Sequence, residues 1–524
     1  MIEDQAIFGF ARAGIYNEKF QYPAVLDSTD SRIMTRGNGK LVIMETPFDA
    51  GFAYPDFMKR GSPIWKTDEL SILANGSELI QRPSRLLKVI QESFWKEKFG
   101  SLYYAQGISD PYLIPVLVYA GVSFFDDSYA RIESLNMVQY TPLGRIKVDH
   151  NPLDENIKFL RNIISLTAAS IKSGTLRDVV EKFQVSSKAM EILRIMDFRY
   201  GEETERVFPS RTGSIHANSI ESLERPDLVR YRNKLLEDYS PPREKIALVI
   251  PCSARKPYSS SKSHMKLFSA IGEFRKYLHE IIVTSPVGMV PRELEEGYPA
   301  RYYDIPVIGH WYQDERKMMS TLASEYFSRN HYADVITFLP EDLEFLEESL
   351  PAGSTFIRGE MGNSDDLREL RKKLIEVLDA KKRDGTITQS NRLQTIASIA
   401  SYQFGSWIIP KMSNLKRVIN YDFELLTENG KVMLVYNPSN GKMTINRNAA
   451  PWFVEAMKRI VEIDNFKPTA NVYAVGVISA SPDIRQEDEV VLVHEGEVRG
   501  VGIAKMPADA MVSLKKGVAV KVRN

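Results

Sequence analysis

With 524 residues, 43 % apolar and 26 % charged, the chain is too long for one ordinary core and has the composition of a soluble globular protein of roughly three or four domains. One cysteine excludes an intramolecular disulfide and a multi-cysteine zinc site. No leader features mark Met1-Ile2-Glu3-Asp4, and no run approaches the ~20 apolar residues of a membrane span, so a cytoplasmic protein without a membrane partner is expected. Lys and Arg (68) balance Asp and Glu (68), which neither indicates nor excludes a nucleic acid, because a local basic patch can sit on a neutral whole.

In chain order, residues 1–205 alternate short apolar runs with helical segments, which favours a parallel α/β arrangement. Leu41–Glu45 reads as a strand and Glu78–Ile80 as a very short one. Pro83–Lys98 carries Leu86, Leu87, Val89, Ile90 and Phe94 at helical spacing, and Leu153–Tyr200 is helical in pattern. Residues 206–243 are polar, lack sustained periodicity before Asp227, and end at Tyr239-Ser240-Pro241-Pro242; they read as a linker.

Residues 244–410 form a second α/β core. Strands are expected at Ile246–Ile250, Glu280–Thr284, Asp334–Phe338 and Thr355–Arg358. Helices at Met265–Tyr277, Asp314–Arg329 and Leu343–Glu348 alternate with them, and Asp365–Ala380 and Gln389–Phe404 close the unit. Residues 411–468 form a small α+β module, with strands at Asp422–Leu426, Val432–Asn437 and Met443–Asn446 and a helix at Ala450–Val461. Residues 469–524 carry the short strands and turns of a small β-barrel.

The most informative stretch runs from Pro251-Cys252 to His264. The buried-strand pattern of Ile246–Ile250 stops there, delivering the sole cysteine, Lys256, Tyr258, five serines and His264 to a carboxyl end, where open α/β sheets bind ligands.

Three resemblances follow. Val472–Val477, Glu487–Val493, Arg499–Ala504 and Lys516–Arg523 resemble a PUA domain, an RNA-binding pseudobarrel, with Glu487-Asp488 standing where Gly-Asp is usual. Lys505, Lys515, Lys516, Lys521 and Arg523 are its candidate phosphate contacts. Leu102–Ile108, Pro115–Asp126 and Ser173–Glu181 resemble archaeal tRNA-guanine transglycosylase, a (β/α) barrel enzyme, with Asp126 at the nucleophilic carboxylate's place. That family's zinc cysteines are missing before Asp149-His150-Asn151 and its second carboxylate has no clear counterpart, which implies a retired, degenerate barrel. The spacing from Pro251-Cys252 through Lys256-Pro257-Tyr258 and Ser261 to His264 resembles the signature of the archaeosine synthase family. So does a second patch, Thr284–Gly288 with Val290–Glu295 and Tyr303–Trp311.

The third resemblance implies an enzyme acting on 7-cyano-7-deazaguanine in the D-loop of archaeal tRNA, converting the nitrile toward archaeosine. The nitrogen would come from lysine, with a radical SAM partner enzyme to cleave the adduct, or from glutamine; lysine is favoured because no glutaminase signature is evident. No cofactor and no metal are expected. Cys252 would add to the nitrile as thiolate, its pKa lowered by Lys256 or His264, with Tyr258 or His264 supplying the proton. The plainer reading of Cys252 is a small buried residue. Lys256 suits a phosphate or donor carboxylate equally well. Ser261 completes the catalytic set, and Ser261 and Ser263 either bind an anion or cap the next helix. Ser253, Arg255, Arg292, Glu293, Asp304 and His310 are candidate substrate contacts, Glu293 and Asp304 for the donor's α-ammonium and His310 as general acid. The competing functions are residual base exchange through Asp126 and a non-catalytic tRNA-binding scaffold.

Overall fold

The computed structural model describes every residue except 38–39, 49–63, 74–75, 98, 243–244, 307–308, 384–386, 390 and 524. Lys98, expected to end a helix, and Val307 and Ile308 of the second core patch lie outside the described residues. The chain forms two compact units, Met1–Gly213 with Met457–Asn524, and Ser214–Ala456.

In the first unit, Ile2–Phe8, Ala11–Tyr16 and Phe20–Tyr22 form an antiparallel sheet. Ala24–Leu26, Phe124–Asp126, Leu102–Ala105 and Leu70–Leu73 then lie side by side in parallel, with Ile64–Lys66 antiparallel at the edge; among the described residues this sheet is open. Two residues of the transglycosylase-like motifs have structural roles here. Gly121 has φ +106°, and a Cβ on it would meet the Phe94 ring at 2.2 Å, so only glycine fits that turn. Buried Arg177 is held by Glu181 (2.7 Å) and by both oxygens of Asp197 (2.7 Å each), the pairing a buried guanidinium requires.

The C-terminal part of this unit is a six-stranded sheet in the order Asn471–Tyr473, Val518–Arg523, Glu497–Ala504, Glu489–His494, Ile460–Ile463, Val477–Ala480. Its apolar face joins one continuous core with the N-terminal residues.

The second unit is built on a five-stranded sheet ordered Gly288–Pro291, Leu278–Thr284, Ile246–Pro251, Asp334–Leu339, Thr355–Arg358, parallel except for the first. Ile246 to Ile250 are all buried, the continuous apolar run of a strand covered on both faces. Tyr303-Asp304 pairs with Ile215-His216 in a separate two-stranded ribbon. A four-stranded meander covers Lys416–Asn420, Phe423–Glu428, Lys431–Asn437 and Lys442–Ile445.

Three expectations change. Glu78–Ile80 is not a strand, because Gly76–Leu79 is a helical turn; a three-residue apolar run carries no usable period. The 206–243 stretch is folded rather than a linker: Pro226–Glu237 is a helix burying Leu228, Tyr231, Arg232 and Leu235. Its polar residues misled because several are buried in pairs, Arg225 with Asp227 among them. The helix at Ala450 stops at Ala456, since Met457 and Arg459 take φ of 52° and 59°, and Ile460–Ile463 becomes a strand of the C-terminal sheet.

Candidate active site

The chain leaves Ile246–Pro251 for a neighbour on one side, Leu278–Thr284, and later for one on the other, Asp334–Leu339. Strand order reverses around that central strand, so the crevice at its carboxyl end is the sheet's switch point. Cys252 is the first residue beyond it and is part-exposed.

Lys256 bends back to place Nζ 3.8 Å from the centre of the Tyr303 ring, a cation–π contact. The Tyr303 hydroxyl lies 2.8 Å from that of Tyr258 and 2.5 Å from that of Thr284. Thr284 acts in turn on the Cys252 thiol, lowering its pKa, so the Tyr258, Tyr303 and Thr284 hydroxyls form a linked row beside the sulfur. Burial pushes the thiol pKa up, opposed by Thr284 and by the Lys256 charge. Burial pushes the Lys256 pKa down, opposed by Cys252 and Asp304. Burial thus disfavours the charged form of both groups. Burial also keeps both phenols protonated far above the neutral range.

The rest of the motif supports this arrangement. Ser261 caps the Lys262–Ile271 helix, its hydroxyl accepting the His264 amide at 3.2 Å, and its hydroxyl lies 3.2 Å from that of Ser263. His264 is fully buried, and its Nδ1 accepts from Arg292 at 2.8 Å. Burial and that guanidinium lower its pKa to about 3. The ring is thus neutral with its proton on Nε2, buried and facing the Pro251 carbonyl without a closed hydrogen bond. A neutral imidazole neither lowers the thiol pKa nor donates as an imidazolium, which corrects that expectation.

Arg292 is likewise engaged: it donates to Glu280 (2.7 Å) and Glu295 (2.9 Å) as well as to His264, and Glu295 accepts the Ser259 amide at 3.0 Å. It holds the loop instead of waiting for substrate. Glu293 faces elsewhere, accepting from Tyr239 (2.6 Å) and lying 3.2 Å from His279 Nε2. His279 is level with Ala247, at the opposite end of the sheet from Cys252, so Glu293 is not part of the crevice.

Ser253 donates to the Arg255 carbonyl at 3.1 Å, and Arg255 is exposed. Exposed Asp304 reaches Lys256 electrostatically. Exposed His310 stands edge-on to Tyr312 at 5.4 Å. Thr284 and Asp342 both act on the Cys252 thiol, the first lowering its pKa and the second raising it. Asp342 had a signal: Leu339-Pro340-Glu341-Asp342 repeats the strand-then-proline syntax of Ile250-Pro251-Cys252.

Asp126, 2 % exposed, also ends a parallel strand, but it is full. One oxygen accepts from the Tyr104 hydroxyl (3.0 Å) and the Gly107 amide (2.8 Å), the other from the Ser128 amide (3.0 Å) and the Ser128 hydroxyl. In the C-terminal sheet, Lys505 pairs with Glu487 (2.7 Å) and Arg523 with buried Glu489, which gives these two cations structural partners. Lys505, Lys515 and Lys516 border a cleft of about 830 Å³, where Lys516 lies 3.5 Å from Glu3. Lys515 and Lys521 are exposed.

A model of the PUA domain matches residues 463–524, and one described as a domain of unknown function (DUF5591) matches residues 228–374, which include the crevice. The chain is 48 % identical to archaeosine synthase subunit alpha of Thermoplasma acidophilum over 523 residues, 100 % of each chain. It is 29 % identical to archaeosine synthase of Methanocaldococcus jannaschii, covering 87 % of this chain and 79 % of that one. It is 24 % identical to tRNA-guanine(15) transglycosylase of Methanobrevibacter smithii, covering 70 % and 53 %. No described helix is long and apolar enough to cross a membrane.

Proposed function

The chain belongs to the archaeosine synthase subunit alpha family, and we propose that it adds the side-chain amine of lysine to the nitrile of 7-cyano-7-deazaguanine carried by tRNA, in the crevice at Cys252. As a member of that family it is a tRNA-modifying enzyme of archaeosine biosynthesis with a C-terminal PUA domain. The observation that carries the finer reading is the Cys252–Lys256 pair, each driven toward its neutral form and backed by the Thr284–Tyr303–Tyr258 hydroxyls.

A nitrile carbon is a modest electrophile and needs both a strong nucleophile and a proton on nitrogen. Lys256 takes the thiol proton as sulfur attacks; the carbon–sulfur bond forms and the proton ends on the nitrile nitrogen, giving a thioimidate. The donor amine, as free base, attacks the same carbon. The carbon–nitrogen bond forms, the carbon–sulfur bond breaks, and a proton from the amine returns to sulfur through Lys256. Nitrile plus amine equals a substituted amidine, with no redox change and the thiol restored. The Thr284 hydroxyl, backed by the phenols of Tyr303 and Tyr258, stabilises the charge developing at sulfur.

Lysine is favoured over glutamine because the sole cysteine is committed to the nitrile, leaving none to hydrolyse an amide. Release of archaeosine from the adduct would then fall to a radical SAM partner enzyme. Exposed Lys515 and Lys521 support phosphate contacts by the PUA domain. The test is nucleoside mass spectrometry after incubation of nitrile-bearing tRNA with lysine or glutamine. A lysine adduct is expected; an amidine formed from glutamine alone reassigns the donor, and an unchanged nitrile leaves the scaffold reading.

A further inference from the structure

Asp342 stands one residue past Glu341 on the chain leaving Asp334–Leu339, the strand that pairs with Ile246–Pro251. The register runs Ile246 to Asp334 through Val249 to Thr337, and continued by the same step it sets Cys252 level with Pro340. Asp342 therefore follows just beyond that level, on the side of the central strand away from Leu278–Thr284, and its charge acts on the Cys252 thiol. Its Oδ2 accepts from the Trp311 indole nitrogen at 3.0 Å, which fixes the carboxylate plane. Its Oδ1 is buried and has no hydrogen-bond partner among the described residues. Buried carboxylate oxygens are almost always paired, because losing water without a replacement is costly. Lys256 is engaged by the Tyr303 ring and by Cys252 and Asp304.

We propose that Asp342 selects the donor, its free Oδ1 receiving the ammonium group of the amino acid that does not attack, so that a donor needs a second cationic nitrogen beside its nucleophilic amine. The inference rests on the amine addition proposed above and names the residue that recognises the amine. It has a second consequence. The Asp342 charge disfavours the Cys252 thiolate, so an ammonium bound there removes that opposition and the thiol becomes more reactive once the donor is seated.

The single cysteine makes this directly measurable on the full chain without tRNA. The alkylation rate of Cys252 by iodoacetamide is expected to rise several-fold with lysine, not with n-butylamine, and to lose its response to lysine in Asp342→Asn, an isostere that still accepts from Trp311. The exposed neighbouring variant Glu341→Gln makes the same charge change and is expected to keep the response. In turnover, Asp342→Asn is expected to raise the KM for lysine on the order of tenfold or more, the weight of one charge-assisted hydrogen bond. A wild-type thiol indifferent to lysine, or a KM for lysine unmoved in Asp342→Asn, overturns the assignment. If wild type forms no lysine adduct on tRNA, the amine-addition reading fails, while the alkylation comparison still judges Asp342.

Discussion

Asp126 and Cys252 hold equivalent places: each is the chemically apt side chain at the carboxyl end of a parallel strand in its own α/β sheet. They differ in what surrounds them. Asp126 is buried with four donors on its two oxygens, all from within Tyr104–Ser128. Cys252 is part-exposed, its neighbour Lys256 stacks on a ring face, and Oδ1 of Asp342 has no hydrogen-bond partner among the described residues. A carboxylate whose acceptor sites are full has no lone pair ready for a substrate. A crevice whose groups are left incompletely paired retains free energy that a ligand can recover. Position at a strand end nominates both, and the two differ in how completely their neighbours pair them.

The sharpest way to break this comparison is Cys252→Ala, expected to lower turnover of nitrile-bearing tRNA by ~10³-fold or more and to abolish a trapped protein–tRNA thioimidate seen by mass spectrometry. Full turnover would leave direct amine attack as the route and place Cys252 beside Asp126 as a spectator. Next, Lys256→Arg keeps the charge and cannot take a proton at neutral pH; a loss of about 10²-fold in kcat is expected. Its pH profile checks the sign. Because burial raises the thiol pKa, thiolate increases as pH rises, so the variant should recover rate only toward alkaline pH, while wild type, with its depressed lysine as base, works at lower pH.

Asp126→Asn is expected to do the reverse of Cys252→Ala. Turnover stays unchanged, but an amide must turn a donor toward donors, costing about 1–3 kcal/mol in chemical denaturation. The smallest effect is that of Tyr303→Phe, which keeps the ring under Lys256 and cuts the hydroxyl chain. About a tenfold fall in kcat with KM unchanged is expected, measured by steady-state assay on nitrile-bearing tRNA.

Much of this site was legible in the chain. The apolar run Ile246–Ile250 ending at Pro251-Cys252 placed a strand end, and Ser261 preceding Lys262-Ser263-His264 carried its own capping signal. Reading failed where a side chain's direction depended on the sheet. Arg292 and Glu293 are adjacent in sequence, yet one joins His264 and the other His279 at the far end. Asp342 was passed over because it reaches the crevice from a strand more than eighty residues away in the sequence.

What the sequence determined by itself was the inventory and its local order: one cysteine, the lysine, tyrosine and serines behind it, the strand that delivers them and the PUA domain at the C-terminus. Tertiary structure alone decided the state of each group. Whether His264 is charged, whether Arg292 is free, whether Asp126 can react and whether Asp342 has a partner all depend on burial and on neighbours distant in the chain. Desolvation and hydrogen bonding act through space, and no spacing along a sequence records them.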